Sequence, residues 1–219
     1  MQKWFDRFTY ISVGSFGSES DGGIFANSDL AGLLRRQMES GDVLPGPRPL
    51  PNTDISLPHY LVGDEAFPLQ RHLMRPYPRA SLAGEEADAR RIFNYRLSRA
   101  RRCVENAFGI MAQRWRIFRG TVGVAPDKAV TIVKTACVLH NFVRSREIDA
   151  DGPGRSAPTA PTDLDAAPGL QDVTRAGANT YSREAARIRQ ALTDYVNGAG
   201  SVQWQREAAG LAVAGPRAH

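Results

Sequence analysis

"RARRCVENAFGIMAQRWRIFRG", residues 99–120, sets one acid, Glu105, into a run of arginines. Val104, Phe108, Met111, Trp115 and Phe118 recur at steps of four and three, which at about 100° per residue draws one narrow apolar stripe on an amphipathic helix. On that wheel Glu105 lies about 100° from Val104, at the flank of the stripe where core meets surface. Arg101 stands four residues before it. The residues alone therefore allow a plain surface ion pair worth roughly 0.2–0.5 kcal/mol, in the order less favourable to the helix dipole. They equally allow a carboxylate kept at the edge of a packed helix for chemistry.

Outward from this stretch, residues 90–119 hold nine arginines, no lysine and one acid, a local charge of +8 in a chain whose total is +5. A helical segment so biased suits a phosphate backbone, because the planar guanidinium meets phosphate oxygens through two hydrogen bonds. A solvated basic face or an acidic protein partner is the other reading of the same charge. The 219 residues suffice for one domain of ordinary size with tails. Cys103 and Cys137 have no CxxC partner, so neither a disulfide framework nor a cysteine zinc site is expected, and a reducing interior fits best. The first residues lack the pattern of a secretory leader and no run of about eighteen apolar residues occurs, so no membrane span is expected.

Along the chain, "RFTYISVG" (7–14) carries β-branched and aromatic residues and ends in glycine, the pattern of a strand. A small-residue loop follows with Glu19 and Asp21. Leu30, Leu33, Leu34 and Met38 then predict a helix capped by Asn27 or Ser28 and ended by Gly41. Five prolines make 44–58 loop. Tyr60-Leu61-Val62 is a continuous apolar run, as in a strand buried on both faces, which favours an α/β architecture. It ends at Gly63-Asp64. Working groups gather beyond the carboxyl ends of strands in open α/β sheets, so Asp64 is a candidate by position, although a turn or cap aspartate reads the same way.

A turn of helix and "RPYPRA" lead to the long arginine helix, from about Glu86 to Arg119. A further helix begins near Pro126 and is apolar around most of its circumference, from Val130 to Val143, as a buried helix would be. His140 within it reads as a hydrogen-bonded core histidine, since no second ligand type lies one turn away. Residues 149–179 are rich in Ala, Pro, Gly, Asp and Thr and read as a disordered linker. A last helix, capped by Ser182, shows Ala185, Ile188, Leu192, Tyr195 and Val196 on one face with Gly198 after it. The expected division is 1–147, a linker 148–180, a helix and tail 181–205, and a disordered end 206–219.

Asp21, Asp64 and Glu105 stand out by context, and hard divalent cations take carboxylate oxygens. Four blocks, "RFTYISVGSFGSESDGGIF", "YLVGDEAFPL", "FNYRLSRARRCVENAFGIMAQRWRIF" and "KAVTIVKTACVLHNFVR", resemble consecutive blocks of the PIF/Harbinger-type DDE transposases and the nucleases derived from them, over about residues 5–146. The tail from "REAARIRQALTDYV" to "GSVQW" is similar to the ends of some members.

The resemblance implies a ribonuclease-H-like α/β DDE nuclease fold with added helices. It implies catalysis by Asp64 and Glu105, with Asp21, Asp64 and Glu105 as ligands of Mg²⁺ or Mn²⁺. Asp64 matches the aspartate on the family's fourth strand, Glu105 the glutamate on the following helix, and Asp21 an additional acid after the third strand. DNA is the implied substrate, held by Arg99, Arg101, Arg102, Arg114 and Arg116. A Myb/SANT-like DNA-binding protein is the implied partner, a homo-oligomer the implied assembly, and the nucleus, with the cytoplasm as second choice, the implied location. The family's first catalytic aspartate lies on its first strand, well before the position of Asp21. Asp6, directly before the third strand, does not replace it. The chain is therefore expected to be the carboxyl-terminal part of the domain, truncated at its N-terminus with the first two strands missing. On this reading it is a metal-dependent DNA endonuclease or transposase-derived protein, inactive as it stands. The alternative is a non-catalytic remnant binding DNA or protein through the arginine helix.

Overall fold

The computed structural model describes residues 6–15, 17–41, 43–151 and 182–211. Contacts group the chain into two units, Met1–Glu19 with Arg102–Thr174, and Ser20–Arg101 with Arg175–His219. This division differs from the sequential one expected from composition, because the last helix returns to pack within the second unit. The proposed linker falls almost wholly outside the described residues.

The second unit opens with helix α1 (Asp21–Ala26) and helix α2 (Asp29–Ser40). The hydroxyl of Ser28 accepts the Ala31 N–H at the start of α2, and Gly41 ends it at φ 74°, a left-handed cap that glycine adopts without Cβ strain. Cap and stop fall as the sequence predicts. The proline-rich segment is not wholly loop: β1 (Arg48–Pro49) pairs antiparallel with β2 (Ser56–Leu57). β3 (Leu61–Val62) pairs in parallel with β4 (Leu73–Met74). The expectation of a strand buried on both faces is corrected here, since Leu61 is exposed at the edge of a two-stranded ladder while Leu73 and Met74 are buried. β4 also lies where a turn of helix was expected.

Helix α3 (Ala87–Arg114) enters this core with Phe93 and Leu97, which pack with Leu69, Met74 and Tyr77. Helix α5 (Arg183–Asn197), capped by Ser182 as predicted, adds Ala185, Ile188 and Leu192 to the same cluster. A satellite core joins Phe25, Ala31, Leu34 and Leu73. Tyr77 ties the layers together: its N–H donates to the side-chain carbonyl of Asn94, and its hydroxyl meets Thr193 at 3.1 Å.

The first unit is built on the second half of α3 and helix α4 (Pro126–Asp151), which extends beyond the point where linker was expected. α3 stops at Arg114, five residues short of the predicted end; Trp115 turns extended and residues 116–119 form a 3-10 turn. The reason is chemical. The Arg119 guanidinium folds back and donates to the carbonyls of Ala112 and Gln113, satisfying the last turn of the helix. Trp115 and Phe118 thereby pack on Met111, Ala136 and Cys137.

Three further expectations fail on this unit. Val104 and Phe108 are 53% and 52% exposed, whereas Ala107 and Met111 are buried, so the packed edge of α3 is rotated and Glu105 lies roughly 140° from it. α4 is not buried all round: Ala136, Cys137, His140 and Arg144 line its inner side, while Val138, Leu139 and Phe142 face water. Residues 7–15 form no strand. Instead the side chain of Asn141 accepts the Phe8 N–H at 2.9 Å and donates to the Phe8 carbonyl at 2.7 Å, doing for one residue what a neighbouring strand would do. His140 is the core histidine expected, fully buried, with Nε2 at 2.6 Å from the Asp6 carbonyl.

Beside it, Arg144 contacts Asp6 and Glu147, and Arg114 also reaches Glu147. Desolvation alone would raise the Glu147 carboxyl, but hydrogen bonds from Arg144 and Arg114 outweigh it and hold the group below its ordinary 4.5. Because folded Glu147 releases its proton at lower pH than the unfolded chain does, its stabilisation is complete above pH 4.5 and is lost as pH falls through the folded value. Arg114→Gln should therefore flatten the acid limb of unfolding. An acid limb identical to that of the parent chain would contradict this.

Candidate DNA-processing site

Asp64 is placed by the end of a strand and a turn. The ladder of β3 and β4 continues one bond further, from the Gly63 N–H to the Met74 carbonyl at 2.8 Å. A Cβ on Gly63 would lie 3.1 Å from the Phe67 ring, so glycine lets the turn close. One carboxylate oxygen of Asp64 then accepts the Ala66 N–H at 2.9 Å, and its carbonyl accepts from Phe67. The other carboxylate oxygen faces the Arg101 guanidinium at 3.5 Å.

Asp21 is the first residue of α1, exposed, rather than a loop residue. α1 approaches the Asp64 turn so closely that a Cβ on Gly22 would stand 2.9 Å from the Ala66 carbonyl oxygen. Phe25 and Phe67 meet edge to face at 5.4 Å in the same place. The structure thus brings the segments carrying Asp21 and Asp64 together within the second unit. Gly22→Ala must push α1 off the turn, with an expected cost of about 2 kcal/mol, the middle of the usual range for overpacking. An unchanged urea midpoint would show that the approach is not tight.

Glu105 is exposed on α3 and belongs to the first unit, one helical turn beyond Arg101. The plain ion pair that the sequence allowed between them is not the contact Arg101 makes, since Arg101 turns to Asp64. Carboxylates are the right donors for Mg²⁺ or Mn²⁺. Among the described residues, however, no group of three or more His, Cys, Asp and Glu side chains is gathered closely enough to hold a metal. Within the second unit, Asp21 and Asp64 therefore have no third donor beside them among the described residues, and two carboxylates alone do not make a site for the ion.

The arginines of residues 90–119 divide by what they touch. Arg90 and Arg91 contact Glu86 and Asp88, Arg96 donates to the Gly200 carbonyl and Gln205, Arg101 meets Asp64, Arg114 meets Glu147, and Arg119 caps α3. Arg102 and Arg116 are exposed, and no ion pair involves them among the described residues. Arg99 lies over the indole of Trp204, its guanidinium carbon 4.3 Å from the ring centroid. Nothing in the spacing of these two residues announces that contact.

Residues 6–141 match the family model described as DDE superfamily endonuclease, a span that includes Asp21, Asp64 and Glu105. The chain is 30% identical over 143 residues to "Protein ALP1-like" of Arabidopsis thaliana, an alignment taking in 64% of this chain. It spans 33% of that relative's length. No solved structure matches the chain. No helix among the described residues is long and apolar enough to cross a membrane. The described residues combine helices with small sheets, as a mixed α/β nuclease domain would, and with 6–141 accounted for by the family model the chain belongs to the DDE superfamily endonucleases, the group to which its Harbinger-like blocks pointed.

Proposed function

We propose that this protein derives from a metal-dependent DNA endonuclease of ribonuclease-H-like fold and that, as this chain, it binds DNA without cutting it. The observation that carries the reading is the Asp64–Arg101 contact: the carboxylate expected to serve catalysis is answered by a guanidinium of the basic helix. Asp64 and Glu105 are the acids proposed to have served catalysis in the parent nuclease, with Asp21 as a further ligand of its Mg²⁺ or Mn²⁺, as the matched blocks imply. DNA is contacted by Arg99, Arg102 and Arg116 directly, with Arg101 and Arg114 joining if their exposed pairs open; such pairs are worth only about 0.2–1 kcal/mol. A nuclear location, self-association and a Myb/SANT-like partner belong to the same proposal.

Two measurements test it. Incubated with supercoiled DNA and Mn²⁺, the chain should nick no faster than its Glu105→Ala variant; nicking abolished by that substitution would overturn the silent-nuclease reading. With Arg99, Arg102 and Arg116 free of acidic partners among the described residues, duplex affinity should fall with salt at a slope of roughly −2.7 in log K against log concentration. Arg102→Gln and Arg116→Gln should each remove about 0.9 of that slope, and a slope unmoved by both would transfer the helix to protein binding.

A further inference from the structure

Trp204 sits at the start of α6 (Gln205–Ala208), 43% exposed, on a segment that the chain holds firmly against α3. Arg96 donates to the Gly200 carbonyl and to the side-chain carbonyl of Gln205, and buried Gln205 in turn donates to the Val196 carbonyl. Arg206 pairs with Asp88 at the foot of α3. Four side-chain contacts thus fix a short loop whose outward product is one large, half-open indole. Tyr95 supports that indole from the side, edge on at 6.2 Å.

Over the ring lies Arg99, exposed, and no acid pairs with it among the described residues. A solvated arginine normally samples many rotamers; here the cation–π contact holds the guanidinium above the ring while its outer N–H groups stay free for an anion. The pair therefore offers two things side by side, a flat surface on which a base can stack and a pre-positioned donor for phosphate. Every nucleobase has a face that stacks, but in a duplex those faces are covered by neighbouring pairs. An indole or guanidinium plane at a surface selects nucleotides that are unpaired.

We propose that Arg99 and Trp204 form a binding subsite for single-stranded DNA, in which a base stacks on the indole–guanidinium pair and the adjacent phosphate is bound by the Arg99 N–H groups. This rests on the DNA-binding reading above and extends it to the class of DNA preferred. Arg96 and Gln205 are positioning residues, keeping the indole in place without touching the nucleotide.

The test uses the full chain with a fluorescent oligothymidylate and a duplex of equal length, at one salt concentration. Trp204→Ala should weaken single-strand binding about tenfold while changing duplex binding by less than about twofold, and Trp204→Phe should restore most of the loss, because a base still stacks on the phenyl ring. Arg99→Gln should lower the single-strand salt slope by about 0.7, an effect that a merely structural role for Trp204 would not produce. Equal losses for both DNA forms in Trp204→Ala, or an Arg99→Gln slope identical to the parent's, would overturn the proposal. Duplex binding retained with Trp204→Ala neutral removes this inference alone, whereas a parent chain that binds neither DNA removes the DNA-binding reading along with it.

Discussion

Met74→Ala is expected to lower the stability of the second unit by about 3 kcal/mol, within the usual range for truncating a fully buried methionine. The side chain is 0% exposed and packs in the cluster with Phe93, Leu97 and Ile188, so its removal leaves a cavity that α3 and α5 would have to collapse to fill. The effect reaches the site, because the Met74 carbonyl accepts the N–H of Gly63, the residue before Asp64. Met38, 57% exposed on α2, is the natural control, and Met38→Ala should change stability by less than about 0.5 kcal/mol. Urea midpoints followed by hydrogen exchange of the α5 amides would separate the two; equal shifts would mean that burial of Met74 is not what holds this core.

A loss of similar size should follow Arg144→Met in the first unit. The Arg144 and Asp6 side chains are 8% and 14% exposed, and removing the guanidinium leaves the Asp6 carboxylate largely out of water without its counter-charge, at a cost of about 3 kcal/mol. Glu147 suffers less, since it is 37% exposed and keeps Arg114. The pair Arg144→Met with Asp6→Asn should recover at least about 1 kcal/mol relative to the sum of the single changes, because the unpaired charge is then gone. Strict additivity would show that the two groups do not interact.

The elements with a local cause were legible in the sequence. Ser28, Gly41, Ser182 and Gly198 mark their helix ends through their own side chains or their lack of one, and His140 was recognisable by the absence of ligand types one turn away. What failed depended on partners distant in the chain. The stripe drawn through Val104 and Phe108 had the right period and the wrong phase by part of a turn, since the packed edge is chosen by what α4 presents and not by α3 alone. The β-rich pattern of 7–14 was real, but a strand exists only when another strand pairs with it, and here Phe8 is paired by a helix side chain 133 residues away. At the candidate site the same contrast holds. Asp64 was read from a strand followed by Gly-Asp, a local signal, and the close approach of Gly22 to Ala66 follows from folding. The partner of Asp64, Arg101, and the seat of Arg99 on Trp204 carried no signal in spacing or composition.

The amide of Asn141 serves Phe8 with one acceptor and one donor, so the tie at Phe8 depends on the identity of a single atom. Hydrolytic ageing of asparagine to aspartate replaces the donating NH₂ with an oxygen that can only accept when ionised. The Phe8 N–H would keep its partner, but the Phe8 carbonyl, now 2.7 Å from a donor, would face an anion and be repelled. A conversion that adds about one mass unit and one negative charge would thus loosen residues 6–15 at Phe8, leaving the holds of His140 and Arg144 on Asp6 and every apolar contact of the first unit chemically unchanged. In stored protein this lesion should be visible as an acidic isoform whose residues 6–15 are cleaved by protease before the rest of the chain.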